Sequence, residues 1–128
     1  NHCVRHPRRS IFTCEGQVTH AQICDRVWYA SQKTGHLFND VFTRPQTTKE
    51  LFYLAHRLFS LASKEGANVR TSTFRAADYR NMAQVTVDGC GVMAQAQVED
   101  ATAALAEACS SWLVRLAEKD AGRFEGAR

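Results

Sequence analysis

Asp88-Gly89 is the pair that most narrows what this chain can fold into. Before it, "MAQVTVDG" places Ala83, Val85 and Val87 on one face of an extended run and Met82, Gln84 and Thr86 on the other. After it, "VMAQAQV" puts Val92, Ala94, Ala96 and Val98 on a common face. Two alternating runs joined by Asp-Gly, with Gly91 just beyond, predict an antiparallel hairpin closed by a tight turn. The apolar period then changes. Ala101, Ala104, Leu105, Ala108, Trp112, Leu113 and Leu116 recur at helical spacing and predict a buried stripe. Small residues in its first two turns let a sheet approach closely, so hairpin and helix are expected to pack on each other.

A second helix is written upstream in "TTKELFYLAHRLFSLASKEG". Thr47 followed by Glu50 is a capping-box pattern, and Gly66 after Lys64 is a C-terminal stop. Leu51, Leu54, Ala55, Leu58, Leu61 and Ala62 form its apolar stripe, widened by Phe52 and Phe59. Between this helix and the hairpin, β-branched residues at 69, 71 and 73 favour a further strand, and "RAADYRN" is a polar connection. The order from 47 to 119 is helix, strand, strand, strand, helix. We therefore expect an α+β domain, with two helices on one face of a three-stranded antiparallel sheet and the other face wet.

Residues 1–46 read as an N-terminal extension and 120–128 as a polar tail. The stretch from Thr19 to Gln32 is open to two readings, a helix capped by Thr19 with Gln22 or a strand ending in "VWYA". Trp28, Tyr29, Phe38 and Phe42 predict that this part packs on the domain or on a partner. An apolar content of 45% with 23% charged residues fits a globular chain and excludes general disorder. No apolar run approaches the roughly 20 residues of a bilayer span, so no membrane partner is expected. A start at Asn1 reads as a processed chain or a segment of a longer one.

Charge is unevenly spread. Residues 1–46 hold six Lys/Arg (Arg5, Arg8, Arg9, Arg26, Lys33, Arg44) against three acids (Glu15, Asp25, Asp40), whereas 47–128 hold ten of each. The excess suits a polyanionic partner, and equally a solvated terminus or a targeting segment. Five cysteines are an odd number, and Cys109 falls on a helix stripe as a small hydrophobe. Both facts point to a reducing intracellular compartment rather than a disulfide scaffold. The basic start is compatible with a mitochondrial protein.

The order helix–β–β–β–helix and the pattern "V-x-V-D-G" before an Ala-rich helix resemble the double-stranded RNA-binding domain over residues 47–119. That family touches RNA through three regions: the outer face of the first helix, the loop between the first two strands, and a lysine cluster opening the last helix. Carried over, the resemblance implies a first region at Lys49, Tyr53, His56, Arg57 and Ser60. The second falls on Arg75, Ala76, Ala77 and Asp78, with Arg80 close by, and lacks the family's glycine, proline and histidine. The third departs most. Where the family has Lys-Lys-x-Ala-Lys, this chain has Val98-Glu99-Asp100-Ala101-Thr102. Acid there suits the helix dipole and repels phosphate.

Variants of the family without that grip commonly serve as protein-interaction or assembly modules. The resemblance thus implies a non-catalytic RNA-binding or protein-interaction module of an intracellular ribonucleoprotein complex, with structured or double-stranded RNA and protein subunits as partners. Arg5, Arg8, Arg9, Arg70, Arg75 and Arg80 are further candidate RNA contacts, and Trp28 and Trp112 candidate protein anchors. The alternative is a structural subunit of a large complex with no RNA role. Chemistry finds little support. Cys3, His6, Cys14, His20, Cys24 and His36 contain no C-x-x-C pair, which argues against zinc. "DGCG" is a hairpin turn rather than a phosphate-cradling loop, so neither cofactor nor enzyme is expected.

Overall fold

A computed structural model of the chain describes residues 19–75, 77, 81–95 and 98–120. It is an α+β fold of three helices and a three-stranded antiparallel sheet: α1 (His20–Leu37), α2 (Thr48–Lys64), β1 (Val69–Arg75), β2 (Asn81–Val87), β3 (Cys90–Gln95) and α3 (Val98–Lys119).

Of the two sequence readings of 19–32, the helix forms, because its cap is complete. Thr19 Oγ1 accepts from the Gln22 amide at 3.2 Å, and Gln22 Oε1 accepts from the Thr19 amide at 2.9 Å. At its other end Asn39 takes a left-handed φ of 57°, and the chain doubles back so that the Asp40 amide donates to the Gly35 carbonyl at 2.8 Å. α2 starts as the sequence predicts, with Thr47 Oγ1 accepting from the Glu50 amide at 3.1 Å. Glu50, however, reaches one residue further back, to the Gln46 amide. Asp88 and Gly89 both have positive φ, 52° and 84°, as a two-residue hairpin turn needs. Val87 then faces Cys90, and Val85 faces Val92. On the other edge Val69 pairs with Val87 and Thr71 with Val85.

One core joins all three helices to the sheet. Leu51, Leu54, Ala55, Leu58 and Ala62 of α2 are buried in it, with Ala83, Val85 and Val87 of β2 also buried. Ile23, Val27 and Phe42 belong to the same cluster, so the stretch 19–46 shares this core. α3 is the central element, packed against α1, α2, β2 and β3. Its burial corrects the single stripe read from sequence. Ala104, Ala108 and Leu113 are buried, but Ala101, Leu105, Trp112 and Leu116 are only half-buried. Ala103, Ala106, Cys109, Ser110 and Ala117 are buried instead, because α1 covers a second side. Small side chains make that contact: Ser110 Oγ donates to the Ala30 carbonyl at 2.6 Å, and Thr34 Oγ1 lies 2.6 Å from Ser110 Oγ. β1 departs from expectation too. Thr71 and Thr73 lie on the same side as Val85 and Ala83, yet every residue of β1 after Val69 is exposed.

Candidate nucleic-acid and partner surface

The core stripe of α2 fixes what its opposite side presents. Lys49, Tyr53, His56 and Ser60 all point outward and are exposed, with Tyr53 at 65%. Glu50, the nearest acid, is turned back onto the Gln46 amide. The face therefore offers a lysine, a phenol, an imidazole and a hydroxyl, with no carboxylate among them. His56 lies beside Phe59, their ring centroids 6.5 Å apart, which steadies the imidazole on the helix.

Arg57, read from sequence as part of this face, is half-buried and engaged within the chain. The turn at Asn39 brings Asp40 under it, and Arg57 Nη2 donates to Asp40 Oδ1 at 2.6 Å. Arg57 Nη1 donates to the Val41 carbonyl at 3.3 Å, and the guanidinium sits 4.6 Å from the Phe42 ring centroid and 5.9 Å from that of Tyr53. The cation clamps the α1–α2 connection onto α2. It also stands over the Tyr53 ring, so on this surface it steadies a neighbour.

Arg70 and Arg75 are exposed on β1, but strand alternation sends them to opposite sides. Arg75 shares a side with Val69, and Arg70 faces away from the core. The two are therefore not brought into one patch. Arg80, Ala76 and Asp78 lie outside the described residues, as do Arg5, Arg8 and Arg9. Trp28 is half-buried on α1 and meets Tyr29 edge-on, ring centroids 6.1 Å apart. Trp112 is half-buried and packs against the core from α3.

The acids that open α3 have a partner that no local pattern announces. Glu99 Oε2 binds His20 Nδ1 at the start of α1, across 79 residues of sequence. His20 Nε2 lies 3.3 Å from the Gln46 carbonyl and 3.4 Å from Cys24 Sγ. One imidazole thus ties together α1, α3 and the residue entering α2. Asp100 beside it has its carboxyl pushed up by burial and by the charge of Glu99. Cys24, His20 and Glu99 are the residue types of a nucleophile, a base and an orienting acid. Cys24 is fully buried, and desolvation raises its thiol above the ordinary range despite Arg44 nearby, so sulfur stays protonated and shielded. The two ring nitrogens of His20 face different partners, so the donors diverge instead of converging on an ion. Among the described residues no group of three or more His, Cys, Asp or Glu is arranged to hold a metal. The cluster acts as a staple.

Cys109 is held as a neutral thiol, pushed up to about 12 by burial. None of the described helices is long and apolar enough to cross a membrane. Comparison with protein-family models, with curated proteins and with solved structures finds no match.

Proposed function

We propose that residues 47–119 form a divergent relative of the double-stranded RNA-binding domain, with α2 and α3 on the same face of the sheet. In this reading the chain is a non-catalytic module of an intracellular ribonucleoprotein assembly. It touches structured RNA through the outer face of α2 and holds protein subunits through other surfaces. The observation that carries the reading is that exposed face, Lys49, Tyr53, His56 and Ser60, polar and free of carboxylates. A minor groove presents 2′-hydroxyls and base edges to such a set, and Lys49 supplies a phosphate contact.

The opening of α3 supports a weakened rather than a lost RNA role. Where phosphate would be gripped, Glu99 binds His20 instead, so that end of the helix is spent on α1. Binding should therefore be modest and should need low salt. The test is titration of the full chain with a labelled RNA duplex of roughly 16 base pairs, the span this kind of domain covers. Lys49→Glu with Tyr53→Ala should weaken binding by about fivefold or more and flatten its salt dependence by about one charge. Unchanged affinity in that variant would remove the α2 face from the reading. No binding by the parent chain at low salt would favour the alternative of a structural subunit without RNA.

A further inference from the structure

The sheet has a second side that the α2 reading does not use. Strand alternation and register put Arg70, Ser72 and Phe74 of β1 with Met82, Gln84 and Thr86 of β2 and Gly91 of β3 on the side away from the Ala83–Val85–Val87 core. Phe74 is 42% exposed, although its register partner Met82 is buried. Arg70 and Ser72 are exposed, and Gln84 and Thr86 are half-buried. Ser72, Gln84 and Thr86 spend no side-chain hydrogen bond on any described residue. Arg70 is the sole charge among these seven positions.

Gly91 adds an independent sign that this side is kept low. It pairs with Thr86, and a Cβ added there would stand 3.3 Å from Thr86 Cγ2 and 3.4 Å from Gln84 Nε2. Glycine thus leaves the row Arg70–Thr86–Gly91 without a side chain at one end, beside hydroxyl and amide groups.

We propose that this open side is a binding platform for single-stranded RNA, with Phe74 stacking a base and Arg70 holding a phosphate. The proposal rests on RNA being a ligand of this chain, but it uses a surface separate from the α2 face. An aromatic ring can stack only on a base already out of a helix, which selects single strands over duplex. Ser72, Gln84 and Thr86 provide both donors and acceptors for base edges or ribose hydroxyls. A protein partner would call for an apolar centre with several exposed anchors, and here Met82 is buried, which leaves Phe74 as the exposed apolar side chain among the described ones on this side. The lone arginine with no acid complements a polyanion.

The experiment is titration of the full chain with a labelled oligouridine of about ten nucleotides, within the reach of one small platform, in parallel with the duplex of the α2 test. Phe74→Ala should weaken oligouridine binding by about fivefold or more through the lost base stacking, and, separately, Arg70→Glu by about fivefold or more through the lost phosphate contact. Both residues are exposed, and circular dichroism verifies that each variant remains folded. Duplex affinity should hold in both, whereas Lys49→Glu with Tyr53→Ala should spare oligouridine. Amide shifts of Ser72 and Thr86 should move on oligouridine titration. Unchanged oligouridine affinity in the folded variants overturns the platform. So does a parent chain that binds duplex but no oligouridine at low salt. Loss of both ligands in Phe74→Ala or Arg70→Glu overturns it as a separate surface. Failure of the α2 variant alone to affect duplex leaves the platform standing and removes only the α2 reading.

Discussion

Glu107→Gln should stabilise the chain at alkaline pH and leave it unchanged in acid. Glu107 is half-buried on α3, and desolvation pushes its carboxyl from the usual 4.5 up to about 7, against a partial offset from the charge of Arg26 on α1. Between those two values the folded chain keeps a proton that the unfolded chain has released. Stability therefore falls as pH rises through that window, and the full cost is present above about 7. At about 1.4 kcal/mol per unit, a shift of this size corresponds to roughly 3 kcal/mol as an upper figure. Glutamine has the same shape and carries no charge, so it removes that cost. Urea unfolding at about pH 8 should show a midpoint raised by roughly 1–3 M at unchanged slope, and at about pH 4 almost no difference. Arg26→Met should destabilise the parent chain at the alkaline pH and do so less in the Glu107→Gln background. A gain of equal size at both pH values would refute the reasoning, because it would show better packing rather than a removed charge.

Two further outcomes follow from the same contacts. Gly35→Ala should cost about 1–3 kcal/mol of stability in chemical denaturation, because the new Cβ would stand 2.8 Å from the Asp40 carbonyl oxygen and 3.0 Å from Phe42 Cδ2, where backbone has to move. A cost under a few tenths would mean that the 38–42 connection is not folded over α1. Glu99→Lys with Asp100→Lys should lower stability by about 1–2 kcal/mol, through the lost His20 pair and cations at a helix N-terminus. The same variant should strengthen RNA duplex binding and steepen its salt dependence. If affinity does not rise in a folded variant, the start of α3 is not near RNA.

The parts of the fold legible in sequence are those carried by local signals. Thr47 with Glu50, the Leu51–Ala62 stripe, and Asp88-Gly89 between alternating runs each fix an element by themselves, and each element forms where it was read. α1 was readable only as one of two options. Its capping box is local, but its choice of side depends on Thr34 meeting Ser110 across 76 residues. The buried arc of α3 departs from its sequence periodicity for a physical reason. Periodicity assumes one neighbour, and a helix packed on several sides buries a wider arc, so Ala103, Ala106 and Ser110 showed no pattern of their own.

Legibility of the surface follows the same division. Lys49, Tyr53, His56 and Ser60 could be found because an exposed helix face is the complement of its stripe. Arg57 sits on that helix too, yet its direction is set by Asp40, which reaches it through the left-handed turn at Asn39. Glu99 is the sharper case. From sequence, acid at the head of an Ala-rich helix favours the helix dipole and nothing more. In the fold it has a job: it binds the first residue of α1, and His20 passes that hold on to the carbonyl that enters α2. A helix N-terminus can attract phosphate or a side-chain anion, but the same few groups cannot serve both. Placing Glu99 and Asp100 there fills the position from within the chain. The gain is a third helix fixed to the core; under the proposed kinship, the corresponding loss is grip on a phosphate backbone. In the reading proposed above, RNA contact falls instead on surfaces that α1 leaves free, the outer face of α2 and the open side of the sheet.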